Sequence, residues 1–390
     1  MTDRQKDLHE NKKGKRRLAP FIFLAVSGLL LIILLLFRAL AFKDPKLADG
    51  FARHVFQPLA RIWTWPVSLI PFSLTELLAV LLTLALPILL IWGIVRLIRI
   101  KEGRGRRCLR TMSLVMALAC LLLSLFLLFH GINYARSPLA ASMSLEVRDR
   151  SLDELESAFR RMGLQASRTR HELEEDDQGL LASLSMTWVR QSALGGWDQA
   201  GDRWPALYSK IRPRPKGVLL SPYWSHTRIV GLYMPLLVEA NVNTDQPFFM
   251  VPVSAAHELA HARGFAREDD CDFAAILSCL VHPDPLWRYS GQISAWKSLG
   301  RRLYQEDADL WAEAYSQSLS PGVIRDLQAE SAYWKAFETP LADLSEKIND
   351  SYLKANREPE GVKSYGGVVD LLLAWMDEPE SGELIPPARP

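Results

Sequence analysis

Long uncharged blocks alternate with polar ones in the first third of the chain. A basic run, KKGKRR at 12–17, is followed by LAPFIFLAVSGLLLIILLLF at 18–37, which carries no charge. SLTELLAVLLTLALPILLIWGIV at 73–95 has one acid, Glu76, near its start, and TMSLVMALACLLLSLFLLFHGI at 111–132 has only His130 at its end. A run of about 18 apolar residues is long enough to cross a bilayer as a helix. Three transmembrane helices are therefore expected, at about 18–37, 73–95 and 111–132, with 38–65 read as a loop. The segment 96–110 holds six Arg and one Lys against one Glu. The positive-inside rule places it and the N-terminus in the cytoplasm. The expected layout is a basic cytoplasmic tail (1–17), a membrane domain (18–133) and an extracytoplasmic domain (134–390) of a multi-pass cell-membrane protein. The first apolar block is too long for a signal-peptide core and lacks a small-x-small cleavage site, so it reads as an uncleaved anchor.

Beyond residue 134 the period shortens to that of amphipathic helices. SLDELESAFRRM carries a capping box, Ser151 with Glu154 three residues on. RTRHELEEDDQG at 168–179 reads as a charged helix end or loop, and SKIRPRPKG at 209–217 as a connector. VLLSPYWSHTRIVGLYMPLLVEANVN at 218–243 is rich in β-branched and aromatic residues and predicts two or three short strands, including a hairpin. After residue 285 the pattern is helical again. The expected fold is mainly α: three N-terminal transmembrane helices and an extracytoplasmic domain with a small β element.

Composition adds two limits. A net charge of +2 gives no reason to expect a nucleic-acid partner. Cys271 and Cys279 lie eight apart on one expected helix, about 12 Å at about 1.5 Å per residue, too far for a disulfide. They read as small buried hydrophobes.

The candidate chemistry lies in VSAAHELAHARGFAREDDCDF at 253–273. His257-Glu258-Leu259-Ala260-His261 fits H-E-x-x-H. On a helix the two histidines share a face and can reach one zinc ion, with Glu258 placed to act as general base on its water. Ser254 is the expected N-cap of a helix over about 254–263, and Gly264 its left-handed end. HELEE at 171–175 repeats the first three letters without a second histidine and reads as a solvated face. A third ligand is expected among the acids that follow. Spacing favours Glu268, with Asp270 next and Asp269 last. Asp272, one turn on, is placed to hold a histidine from behind. Arg267 stands where a third histidine ligand would be, which excludes that form of the site.

Four blocks, VSAAHELAHARGFAREDDCDFAAILSC, YMPLLVEANVN, WRYSGQISAW and GVKSYGGVVDLLLA, together resemble an uncharacterised bacterial membrane-protein family with N-terminal spans and a zincin-like domain. The E-x-x-C-D block is similar to the gluzincin pattern of CAAX-prenyl endopeptidases and antirepressor-cleaving proteases. That resemblance implies a peptidase with Glu268 as third ligand. The family pattern ends in E-x-E-A-N-F. Asp270, Cys271 and Asp272 depart from it.

His226, Tyr223, Tyr233 and Tyr289 are candidate oxyanion or substrate contacts, although core or surface packing is the commoner role of such residues. Glu239 is a candidate to line the site from a strand. WTWP at 63–66, Glu76 and His130 read as interfacial residues. The expected function is a membrane-anchored zinc metallopeptidase acting on a peptide or protein of the cell envelope. The alternatives are a non-catalytic metal-binding structural or sensory protein, and a cell-wall amidase. Because the motif lies well past the last span in sequence, cleavage inside the bilayer is not expected.

Overall fold

The structure, a computed structural model, describes residues 3–99, 103–182, 185–359 and 361–384. The side chains of the basic run at 12–17, and residues 100–102 of the basic loop, lie outside the described residues. The chain is mostly helical, with one small sheet.

Among the described residues, three helices are long and apolar enough to cross a membrane: Leu18–Ala41, Leu74–Arg96 and Arg104–Ala135. The first and third run along each other, while the second meets the rest mainly at its N-terminal end, against the sheet. Their leucines and isoleucines are largely exposed, as hydrocarbon rather than water would permit.

The expected loop at 38–65 is instead helical: Pro45–Phe51, a π-helical turn Ala52–Phe56, then Gln57–Leu69. Polar residues such as Arg53, Gln57 and Arg61 mask its periodicity. Ala48, Ala52, Phe56, Ala60, Thr64 and Val67 recur every three or four positions and are buried against the domain.

Past residue 134, the Ser151–Glu154 capping box starts the helix Leu152–Arg170 as its sequence predicts. The sheet has the order β1-β3-β2: β1 (Lys216–Val218) pairs parallel with β3 (Glu239–Asn243), which pairs antiparallel with β2 (Gly231–Met234). A short helix, Ser221–Ser225, separates β1 from the hairpin. β3 is buried at every position, as a central strand covered on both faces must be. β1 and β2 are the edge strands.

The motif helix, Val251–Ala262, packs on β2 and β3 and on the helix Glu268–Leu280. It begins three residues before the expected N-cap. Pro252, with φ preset and no N–H to satisfy, suits the first turn, and Ser254 Oγ, inside it, lies 3.0 Å from Met250 O and 3.2 Å from Gln246 Oε1. The helix Glu268–Leu280 is buried along nearly its whole length, with Cys271 and Cys279 in the core as unpaired thiols.

Candidate metal centre

Two helices and one turn build the site. His257 and His261, one helical turn apart, present their rings to the start of the helix Glu268–Leu280. Glu268 Oε2 lies 3.2 Å from His257 Nε2 and 3.6 Å from His261 Nε2. The ligand atoms of His257, His261 and Glu268 all fall within 4.8 Å of one another, the arrangement needed to hold one ion. Gly264, at φ +102°, reverses the chain between the helices. A side chain there would also strike Phe56, whose ring lies 2.6 Å from the would-be Cβ.

The far side of each imidazole is held as well. His257 Nδ1 meets Asp272 Oδ1 at 2.7 Å. His261 Nδ1 meets Phe265 O at 3.2 Å, with Cys271 Sγ also at 3.2 Å. Such contacts fix ring orientation and leave Nε2 for a ligand. Burial depresses the His257 pKa, but Asp272 and Glu268 outweigh it and raise it well above the usual imidazole range. Burial works against Glu268 ionising, yet His261 and His257 hold its carboxyl below the usual range.

Glu258 is buried beside the sheet, and burial lifts its carboxyl to about 7 against the pull of both histidines. Its carboxylate lies against β2 at Gly231, where an added Cβ would come within 2.4 Å of Oε1. Only a glycine lets Glu258 and this strand approach so closely.

The other candidates separate clearly. Asp270 accepts from Leu139 N at 2.9 Å and pairs with Arg267 at 2.7 Å, so its carboxylate is engaged as a clasp to the segment after the third apolar helix. Asp269 accepts from the Asp270 backbone, and burial with Asp270 beside it raises its carboxyl to about 6. Glu239 does not line the site. It is buried in an ion pair with Lys216 at 2.6 Å, and it caps the second apolar helix by accepting from Leu74 N and Thr75 N. A glutamate on a strand that also meets a helix N-terminus is drawn to those free N–H groups. Tyr233 stacks on His261 at 5.8 Å but donates its hydroxyl to Phe129 O at 3.3 Å. His226 is exposed and packs edge-on against Phe337, Tyr223 is exposed, and the Tyr289 hydroxyl is bonded to Asp326.

Residues 51–373 match the family described as Protein of unknown function (DUF3810). The chain belongs to this family. The match takes in the second and third apolar helices together with every residue of the centre. The comparisons with curated proteins and with solved structures return no match.

Sequence reasoning missed His130 in this family member. Read as interfacial, it is buried, with its ring 5.4 Å from His261 and 5.1 Å from Tyr134. The available signal was its place at the end of an apolar run: a buried ionisable residue there needs a partner.

Proposed function

We propose that this family member is a membrane-anchored zinc metallopeptidase whose extracytoplasmic, zincin-like domain hydrolyses polypeptides of the cell envelope. The N-terminus and the 96–110 segment lie in the cytoplasm on this reading. One observation carries it. Glu268 Oε2 is buried between the two imidazole Nε2 atoms and receives no well-directed hydrogen bond. An acceptor left like that is costly unless a cation completes it. Two imidazoles and one carboxylate are the donor set of a catalytic zinc site, in which a fourth position stays open.

His257, His261 and Glu268 would hold the ion, which would supply Lewis acidity toward a carbonyl and a more acidic water. Glu258 takes the proton from the attacking water and passes it to the departing amine. The amide C–N bond breaks, the carbonyl carbon gains the hydroxyl, and the nitrogen gains the proton. Asp272 and Phe265 O keep the imidazoles aimed while this happens. Gly231 brings the β2 edge alongside Glu258, where an extended substrate can add as a further strand. A purely structural metal site has no use for Glu258.

The test is metal content, by mass spectrometry, of the full-length protein purified in detergent. The full chain is needed because 45–69 is packed into the domain. About one zinc per chain in wild type and Glu258→Gln, lost in His261→Ala, supports the proposal. A folded wild type without zinc overturns it.

A further inference from the structure

The sequence separates the motif from the last span by more than a hundred residues, and the fold removes that distance. His130 lies in the π-helical turn Leu127–Gly131 within the third span. Its ring is 5.4 Å from His261 and 5.3 Å from Tyr233, and Tyr233 in turn donates to Phe129 O. From the first span, Arg38 Nε donates to Gly131 O at 3.0 Å. Arg136, at the end of the third span, donates to the carbonyl of Gly264 at 2.7 Å, the residue that turns the chain out of the motif helix. One wall of the metal centre is therefore built from span ends, within a ring's width of the ligands.

A second observation lies opposite. The helix Pro340–Ala355 is held chiefly at its two ends. Before it, Phe337 packs on His226 and Thr339 donates to His226 O. After it, Asn356 accepts from Arg38, and near its end Tyr352 packs on Phe126 of the third span. Between these anchors Leu341, Leu344, Ile348 and Tyr352 are 50%, 53%, 62% and 38% exposed. Their spacing puts them in one stripe. The stripe ends at Tyr352, whose ring packs on Phe126, which packs in turn on His130 beside His261. An exposed apolar track thus leads to the metal centre from beside the bilayer.

We propose that the substrate is the juxtamembrane segment of a membrane-anchored polypeptide, cut where it leaves the bilayer, with its apolar side chains lying along the stripe. This rests on the peptidase reading above. A segment tethered in the same bilayer reaches the span-walled site at an effective concentration on the order of millimolar, which a free peptide does not have. The amide chemistry selects a polypeptide, the span ends select one held at the membrane, and the stripe selects apolar residues near the cut.

The test uses the zinc-loaded full-length protein in vesicles. One probe is a designed single-span polypeptide with a randomised 20-residue extension; the other is the same extension pool free in solution. Cleavage of the anchored probe at least about tenfold faster than of the free pool, with cuts clustered within about ten residues of its span and abolished by Glu258→Gln, is the expected result. Equal rates, or cuts spread along the whole extension, overturn the proposal. Photo-cross-linking from Ile348→benzoylphenylalanine in the Glu258→Gln protein reads docking without chemistry. Cross-links to the anchored probe alone support the proposal, even where no cleavage occurs, and in that case the peptidase reading is what fails. Cross-links only to lipid, or equally to both probes, overturn it.

Discussion

Gly231→Ala tests the proposed general base apart from the proposed metal ligands. An added Cβ would stand 2.4 Å from Glu258 Oε1, 2.7 Å from Cγ and 2.9 Å from Cδ, where ordinary contact begins near 3.4 Å. The carboxylate must retreat by about 1 Å. Gly231 has an ordinary φ, so the backbone accepts alanine and the strain falls on the side chain it faces. Misplacing a reacting group by about 1 Å costs on the order of a hundredfold in rate, or about 2.7 kcal/mol in the barrier. Overpacking costs about 1–3 kcal/mol of stability. The three atoms nearest the new methyl all belong to Glu258 and none to His257, His261 or Glu268, so zinc content is expected to hold at the wild-type level. The assay combines zinc by mass spectrometry, thermal unfolding in detergent, and turnover of the anchored probe. Gly291→Ala is the control: its Cβ would strike Cys279 at 2.5 Å, a similar clash in the core, which lowers stability while turnover of the folded fraction stays unchanged. Wild-type turnover in Gly231→Ala would refute the role given to Glu258, and loss of zinc would refute the separation of base from ligands.

Other outcomes follow from the same geometry. Asp272→Asn removes the charge behind His257 and lowers zinc affinity about 10–100-fold, measured by competition with a chromophoric chelator; Asp270→Asn leaves affinity unchanged, because Asp270 is committed to Leu139 and Arg267. Zinc and a proton compete for His257, whose pKa Asp272 and Glu268 raise, so zinc affinity climbs with pH; a flat profile from pH 6 to 8 would contradict the ion pairing. Glu239→Ala strands the buried Lys216 and uncaps the second apolar helix, costing about 3–5 kcal/mol in detergent unfolding, while the zinc content of the folded fraction is unchanged.

The three apolar helices, the capping box at Ser151, the short strands ahead of the motif and the left-handed exit at Gly264 were all legible in the sequence. Each rests on local physics: hydropathy over one bilayer thickness, one side chain closing one helix end, one residue type suited to a positive φ. The spacing of His257, His261, Glu268 and Asp272 also lies within one helix-turn-helix, and helical periodicity together with the turn at Gly264 brings those groups together. Three things were decided only by packing. Residues 45–69 hide their buried stripe among polar residues, so hydropathy reads a loop where the domain supplies a partner face. Asp270 and Glu239 have the chemistry of ligands, and they are claimed instead by Arg267 with a backbone amide and by Lys216 with a helix N-terminus, partners distant in sequence or choosable only in three dimensions. His130, 131 residues before His261, lies beside it because the ends of the first and third apolar helices pack against each other and against the Gly264 turn. Sequence spacing measures neighbours along one helix, whereas the approach of the end of an apolar helix to the motif helix depends on how whole elements dock.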